Sequence, residues 1–168
     1  MTYYLALGSN MGNRGRNLES GIRLLEAQGR VGSVSSVYRS PAQGMPADLA
    51  DFFNLVLRLD SELEPRQLLM WIKIMEASMG RDLSPGPPRS RRLDVDILLC
   101  DNRVLNTPEL TIPHPRMPDR AFVLFPLAEI AADVVHPVLK TSIRTLRQRL
   151  DNREGMTRVG DPPIVSGA

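Results

Sequence analysis

Apolar residues fall along this chain in six regular blocks, and their spacing alternates between a period of two and a period near 3.6. The block "YYLALGS" (3–9) alternates and predicts a strand, ended by a turn containing Gly8, Ser9 and Asn10. In "NLESGIRLLEAQG" (17–29) Leu18, Ile22 and Leu25 recur at helical spacing, and Gly29 supplies the stop. "VGSVSSVY" (31–38) puts Val31, Val34 and Val37 in a second, imperfectly alternating strand. "FFNLVLRLD" (52–60) is a third, with Phe53, Leu55, Leu57 and Leu59 on one face. Between those two strands, a long stretch rich in Pro, Gly and Ala predicts a connecting loop of the kind that is usually functional or mobile. A second helix follows over 64–80, with Pro65 at its first position, a 3.6-period apolar stripe and Gly80 as its stop. A basic loop (81–92) then leads into a last strand, "LDVDILLC" (93–100).

The order strand, helix, strand, strand, helix, strand predicts an α/β (α+β) fold: a ferredoxin-like βαββαβ core, an antiparallel sheet with both helices on one face. The stretch 107–127 is punctuated by proline and predicts no long regular element. A C-terminal helix near 141–152 and a loose tail over 161–168 complete the expectation, with residues 1–160 as one domain. No internal repeat is present.

Composition narrows the class. At 168 residues the chain has length for one well-buried domain, and 42% apolar content is ordinary for a soluble protein. No apolar run reaches the roughly 18 residues that span a bilayer, and the amino terminus lacks the pattern of a secretory signal. Cys100 is the only cysteine, so neither an internal disulfide nor a cysteine-built zinc site can form, and a reducing cytoplasm is the expected location. A net charge of +2 gives no reason to invoke nucleic acid. The expectation is a monomer acting on small molecules, without nucleic-acid or membrane partners.

Charge placement changes the picture more than its total. Arg81, Arg89, Arg91 and Arg92 crowd a proline-rich loop against Asp82 alone. Two residues further on, Asp94 and Asp96 leave the same face of an otherwise apolar strand, where like charges repel unless something positive holds them. Paired carboxylates suit Mg²⁺, a hard cation that takes oxygen ligands and keeps substrate phosphates, while guanidinium groups bind phosphate in two-pronged fashion. An exposed D-x-D paired only with Arg91 or Arg92 is the bland alternative; the apolar strand and the adjoining arginine loop favour the metal. In "TIPHPRMPDRAF" (111–122) His114, Arg116 and Arg120 can all donate to phosphate. Asn54 is a polar side chain inside an apolar strand and must find a hydrogen-bonding partner. His136 and the cluster Arg144, Arg147 and Arg149 read as structural and solvated respectively. Neither a GxxxxGK phosphate loop nor GxGxxG is present, so side chains and metals must cradle the phosphates.

The ordered set "LALGSNMGNR", "VYRSPAQG", "DFFNLVLRLD", "MEASMGR", "RRLDVDILL" and "TIPHPRMPDRAFVLFPLAEIA" resembles the 6-hydroxymethyl-7,8-dihydropterin pyrophosphokinases, over about residues 2–137. That resemblance implies transfer of pyrophosphate from ATP to the pterin hydroxymethyl group, releasing AMP, in folate biosynthesis. It implies two Mg²⁺ on Asp94 and Asp96, with Arg81 and Arg91 nearest to catalysis. Glu76, Ile97 and Thr111 match nucleotide-contacting positions, and His114 and Arg120 match phosphate-holding ones. Phe52 and Phe122 match the aromatic pair that sandwiches the pterin, Asn54 the amide that reads its edge, and Ser40 and Gln43 further pterin contacts. The chain departs from the family where Pro88 replaces a loop tryptophan, Leu83 stands where some members have arginine, and Pro115 replaces a tyrosine found in others.

Three other readings compete. A palm-like nucleotidyltransferase shares the sheet and the D-x-D, but calls for a third carboxylate on a neighbouring strand. An RNA-binding module stacks bases on exposed sheet aromatics, which a chain 5% aromatic with an acidic sheet face does not offer. A pterin- and nucleotide-binding paralogue with an impaired loop is the third.

Overall fold

The structure is a computed structural model that describes residues 1–42, 50–81, 90–150 and 155–163. Its strands run β1 (Thr2–Ser9), β2 (Arg30–Val34), β3 (Val37–Ser40), β4 (Phe52–Asp60), β5 (Asp94–Cys100), β6 (Leu105–Asn106), β7 (Thr111–Ile112) and β8 (Thr157–Gly160). The α-helices are α1 (Arg14–Glu26), α2 (Pro65–Ser78), α3 (Ala121–Ala131) and α4 (Ile143–Arg149).

The main sheet is ordered β5-β1-β4-β3-β8, and β2 also pairs with β4; every ladder is antiparallel. Counting β2 and β3 as one interrupted strand, the core is the expected ferredoxin-like βαββαβ unit with β1 at its centre. Leu5, Leu7, Leu55, Leu57 and Leu59 face α1 and α2, where Leu18, Ile22, Leu25, Leu68 and Ile72 meet them. Period-two strands and period-3.6 helices thus deliver their apolar faces to one layer. The opposite sheet face carries a second core, with Val56 and Leu98 under α3 and α4.

Two expectations need correction. The strand expected over 31–38 is broken at Ser35 and Ser36. Ser35 donates its N–H to Val56 O (2.9 Å) and its hydroxyl accepts from Val56 N (2.9 Å), so a side chain stands in for the ladder and shifts the register. The second correction is α3, eleven residues of helix in a stretch expected to hold no long regular element, with Pro126 inside it. A proline in a helix interior costs about 3 kcal/mol. Val123, Leu124 and Leu127 are each no more than 2% exposed, and burying such side chains contributes roughly 1.5–3 kcal/mol apiece. Burial wins over propensity.

The structural reading of His136 holds: it is buried, and its Nδ1 accepts from the Val138 and Leu139 N–H groups (3.3 and 3.1 Å). The basic residues of α4 are more engaged than a solvated face implies, since Arg144 pairs with Asp133 (2.8 Å) and Arg147 lies 4.5 Å from the Phe125 ring. Among the described residues, no helix is long and apolar enough to cross a membrane.

Gly29 lies where α1 turns into β2, and a Cβ there would stand 2.3 Å from the backbone oxygen of Asp60. Gly29→Ala is expected to destabilise the fold by about 2 kcal/mol or more, because backbone must move. Gly32→Ala, whose Cβ would meet only the Arg58 side chain at 3.6 Å, should stay within about 0.5 kcal/mol. Urea denaturation of both variants checks the pair.

Candidate active site

The antiparallel register fixes what stands side by side on the α3 face of the sheet. Gly8 pairs with Asn54 on one side and Asp94 on the other, and Ala6 pairs with Val56 and Asp96. The central strand therefore offers only small side chains between the amide of β4 and the carboxylates of β5. Over this strip opens a cavity of about 430 Å³.

The β5 end of the cavity is charged. Arg81, just past the end of α2, places Nη1 2.8 Å from Asp94 Oδ1 and 2.5 Å from Glu76 Oε2. Arg91 reaches the same Asp94 oxygen at 2.9 Å. Asp96 has looser company, with His114 Nε2 and Arg120 Nη1 each 3.8 Å from its Oδ2. Burial, and then the neighbouring Asp94 charge, raise the Asp96 carboxyl above its ordinary value. Burial lowers His114, with Asp96 pulling the other way. Arg116 also lines this end. Among the described residues, four guanidinium groups thus line the cavity with two carboxylates, an excess of positive charge suited to an anionic ligand.

The β4 end is aromatic and amide-bearing. Phe52 and Phe122 line it with Ser40 and Asn54. Asn54 and Ser40 are buried, and Asn54 Nδ2 donates to Ser40 Oγ at 2.8 Å. Phe122 comes from the first turn of α3, and its ring lies 5.3 Å from the Arg120 guanidinium.

The cavity therefore gathers Ser40, Phe52, Asn54, Arg81, Arg91, Asp94, Asp96, Arg120 and Phe122 from the expected set. His114 stands beside it through Asp96. Three others stand elsewhere. Glu76 is buried behind Arg81, accepting from Val95 N–H at 2.8 Å. Ile97 points into the opposite core, and Thr111 bonds Asn106 at 3.3 Å. Gln43 lies outside the described residues, as do Leu83, Pro88 and Arg89.

Sequence reasoning missed Asn10. Only 2% exposed, it donates its N–H to Arg91 O (3.1 Å), accepts from Arg91 N on Oδ1 (2.7 Å) and reaches Ser90 Oγ (3.4 Å). Asn17 steadies the same turn by donating to Ser9 Oγ and Met11 O. Two polar residues beside a strand-ending glycine were the available signal, but their partners are distant in sequence.

The model of the 7,8-dihydro-6-hydroxymethylpterin-pyrophosphokinase family matches residues 4–132. A 2-amino-4-hydroxy-6-hydroxymethyldihydropteridine pyrophosphokinase of Aquifex aeolicus is 36% identical over 148 residues, covering 87% of this chain and 90% of the relative. One from Pseudomonas aeruginosa is 41% identical over 138 residues, 80% of this chain and 83% of its own length. The folic acid synthesis protein FOL1 of Dictyostelium discoideum is 35% identical over 97% of this chain, which spans only 24% of that protein. A Plasmodium falciparum HPPK-DHPS crystal structure shares the fold at TM-score 0.74 and 16% identity, covering 88% of this chain and 45% of that one. The chain belongs to the 7,8-dihydro-6-hydroxymethylpterin-pyrophosphokinase family.

Burial raises the Glu76 carboxyl to about 7, against the Val95 N–H and Arg81, which favour its ionised form. The folded chain then holds this proton more tightly than the unfolded one. The contribution to stability is full below the ordinary carboxyl value near 4.5 and is lost as pH rises through 7. The wild type is expected to lose up to about 3 kcal/mol relative to Glu76→Gln between pH 5 and 8. Paired melting curves across that range test it.

Proposed function

We propose that this chain, acting over residues 1–160 as one domain, transfers the pyrophosphoryl group of ATP to the hydroxymethyl group of 6-hydroxymethyl-7,8-dihydropterin and releases AMP, as a step of folate biosynthesis. The single observation that carries this reading is the two-ended cavity: carboxylates and arginines on β5 and its flanks, amide and aromatics on β4 and α3. Family membership supports it independently. Of the three readings that competed with it on sequence, the nucleotidyltransferase needs a third carboxylate, and on that face β1, beside β5, offers Ala6 and Gly8, and β4, the next strand, offers Asn54 and Val56 instead.

In this reading a flat bicyclic ring lies between Phe52 and Phe122, with Asn54 hydrogen-bonding its polar edge. The hydroxymethyl oxygen then faces the β5 end. It attacks the β-phosphorus of ATP, the bond from that phosphorus to the α–β bridging oxygen breaks, AMP carries away the electron pair, and the hydroxyl proton passes to solvent or phosphate. Arg81 and Arg91 hold the phosphates in line and neutralise charge that grows on their oxygens. Arg116 and Arg120 grip the same anion from the α3 side, and His114 donates there when protonated. Glu76 holds Arg81 in place from behind.

The donor set fits Mg²⁺. Both available ligands among the described residues are hard carboxylate oxygens on one strand face, and the side-chain cations nearest Asp96, on His114 and Arg120, stand 3.8 Å from its Oδ2. Among the described residues no group of three or more acidic, His or Cys side chains converges, so phosphate oxygens and water would complete the coordination. Asp94 and Asp96 would hold two such ions, which supply Lewis-acid neutralisation of the triphosphate. The further expectations are a monomer in the cytoplasm that acts on ATP and the pterin, without nucleic-acid or membrane partners.

Incubation with ATP and the hydroxymethyl pterin should yield AMP in strict dependence on the pterin; release of pyrophosphate instead would overturn the reading in favour of nucleotidyl transfer. Binding of both ligands without turnover would leave the impaired paralogue. Asp96→Ala should lower kcat/KM by about 10²-fold or more at saturating Mg²⁺. Asn54→Ala should raise the pterin KM about tenfold with the ATP KM little changed.

A further inference from the structure

Arg14 opens α1, on the helix side of the sheet, and does not line the cavity. Its backbone is set by Asn13, whose side chain accepts from Arg16 N–H (3.1 Å), and by the packing of Leu18, Ile22 and Leu25 in the core. From there its side chain crosses to the start of β4. Nη1 donates to the backbone oxygen of Asp51 at 2.7 Å, and the guanidinium carbon lies 4.0 Å from the centre of the Phe53 ring. Arg14 therefore grips both chain neighbours of Phe52.

The place of Phe52 in the sheet makes that grip matter. The ladder between β1 and β4 ends at the pair Ser9 and Phe53, so Phe52 lies one residue beyond it. On the other side Phe52 pairs with Ser40, the last residue of β3. At residue 52 the sheet holds β4 from one side only, and Arg14 supplies the restraint on the other. Because successive side chains leave opposite faces of a strand, Phe53 turns toward Arg14 while Phe52 turns into the cavity. The arginine fixes the backbone of an aromatic wall without entering the site. The additional pair from Arg39 to Asp51, at 3.7 Å between half-exposed side chains, is too loose to replace it.

We infer that Arg14 is a positioning residue for the pterin end of the site: it holds residues 51 and 53 so that the Phe52 ring stands ready for a flat bicyclic ligand. The inference rests on the pterin reading given above. A cation over an aromatic face combined with a hydrogen bond to a carbonyl asks for a charged, planar, multi-donor group, which only arginine supplies.

The test is steady-state kinetics on the full chain, with ATP and the hydroxymethyl pterin varied separately. Arg14→Met should raise the pterin KM about tenfold, with kcat and the ATP KM within about twofold of wild type and the melting temperature within ~4 °C. Arg14→Lys, which keeps the charge and a donor but not the flat face, should show a smaller rise in the pterin KM alone. A pterin KM unmoved in Arg14→Met overturns the inference. So does a parallel rise in both KM values, since that marks a general loss of structure. If Arg14→Met does not fold, Arg14→Lys decides by the same split. A wild-type chain that neither binds nor turns over the pterin overturns the functional reading and this inference together. An active wild type with an indifferent Arg14→Met overturns this inference alone.

Discussion

Two carboxylates leaving one face of a strand repel each other, and the architecture of this site follows from what holds them there. Asp94 is tied down by Arg81 and Arg91 at hydrogen-bonding distance, while Asp96 has only distant cations. The arginines are themselves held: Arg81 by the buried Glu76, Arg91 by the backbone clasp of Asn10. Each charge is thus oriented by a second group from another element, α2 in one case and the turn after β1 in the other. Such support keeps polar groups preorganised, so that little rearrangement is required when an anion arrives.

The division of labour across the sheet is a matter of side-chain size. Between the amide strand and the carboxylate strand lies β1, and its cavity-facing positions Ala6 and Gly8 are small. Adjacent strands are about 4.8 Å apart. Asn54 and Asp94 therefore stand about 10 Å apart across Gly8, a gap on the scale of a fused bicyclic ring with a short arm. A larger side chain at either position would close the passage between the two ends. A Cβ on Gly8 alone would come within 3.3 Å of Asn54 Oδ1 and 3.4 Å of the Phe52 ring.

The parts legible in the sequence were those governed by local periodicity. Alternation in 3–9 and 52–60, and the helical stripe of 64–80, gave the right elements and faces because each has one buried side. The D-x-D could be placed on one face for the same reason. What stayed hidden depended on distant partners. Nothing near Ser35 announces that its hydroxyl will replace a ladder bond, and nothing near Pro126 announces a helix buried deeply enough to carry it. Glu76 and Asn10 are similar cases, polar residues whose meaning lies in Arg81 and Arg91. Arg14 was visible only as the end of "LALGSNMGNR", with no hint that it would reach the start of β4.

The strand at Thr157–Gly160 has a consequence for how this protein behaves in a crowded solution. It lies past the portion matched by the family model and covers the outer side of β3. Among the described residues no strand pairs with its other side, which is four residues long, carries Arg158 with its guanidinium spent on Ser36 and Asp161, and runs into Pro162 and Pro163. A short, charged, proline-stopped rim offers a poor template for a strand from another molecule. Among the described residues, the β8 side of the sheet that builds the site thereby ends in an edge that discourages fibre growth.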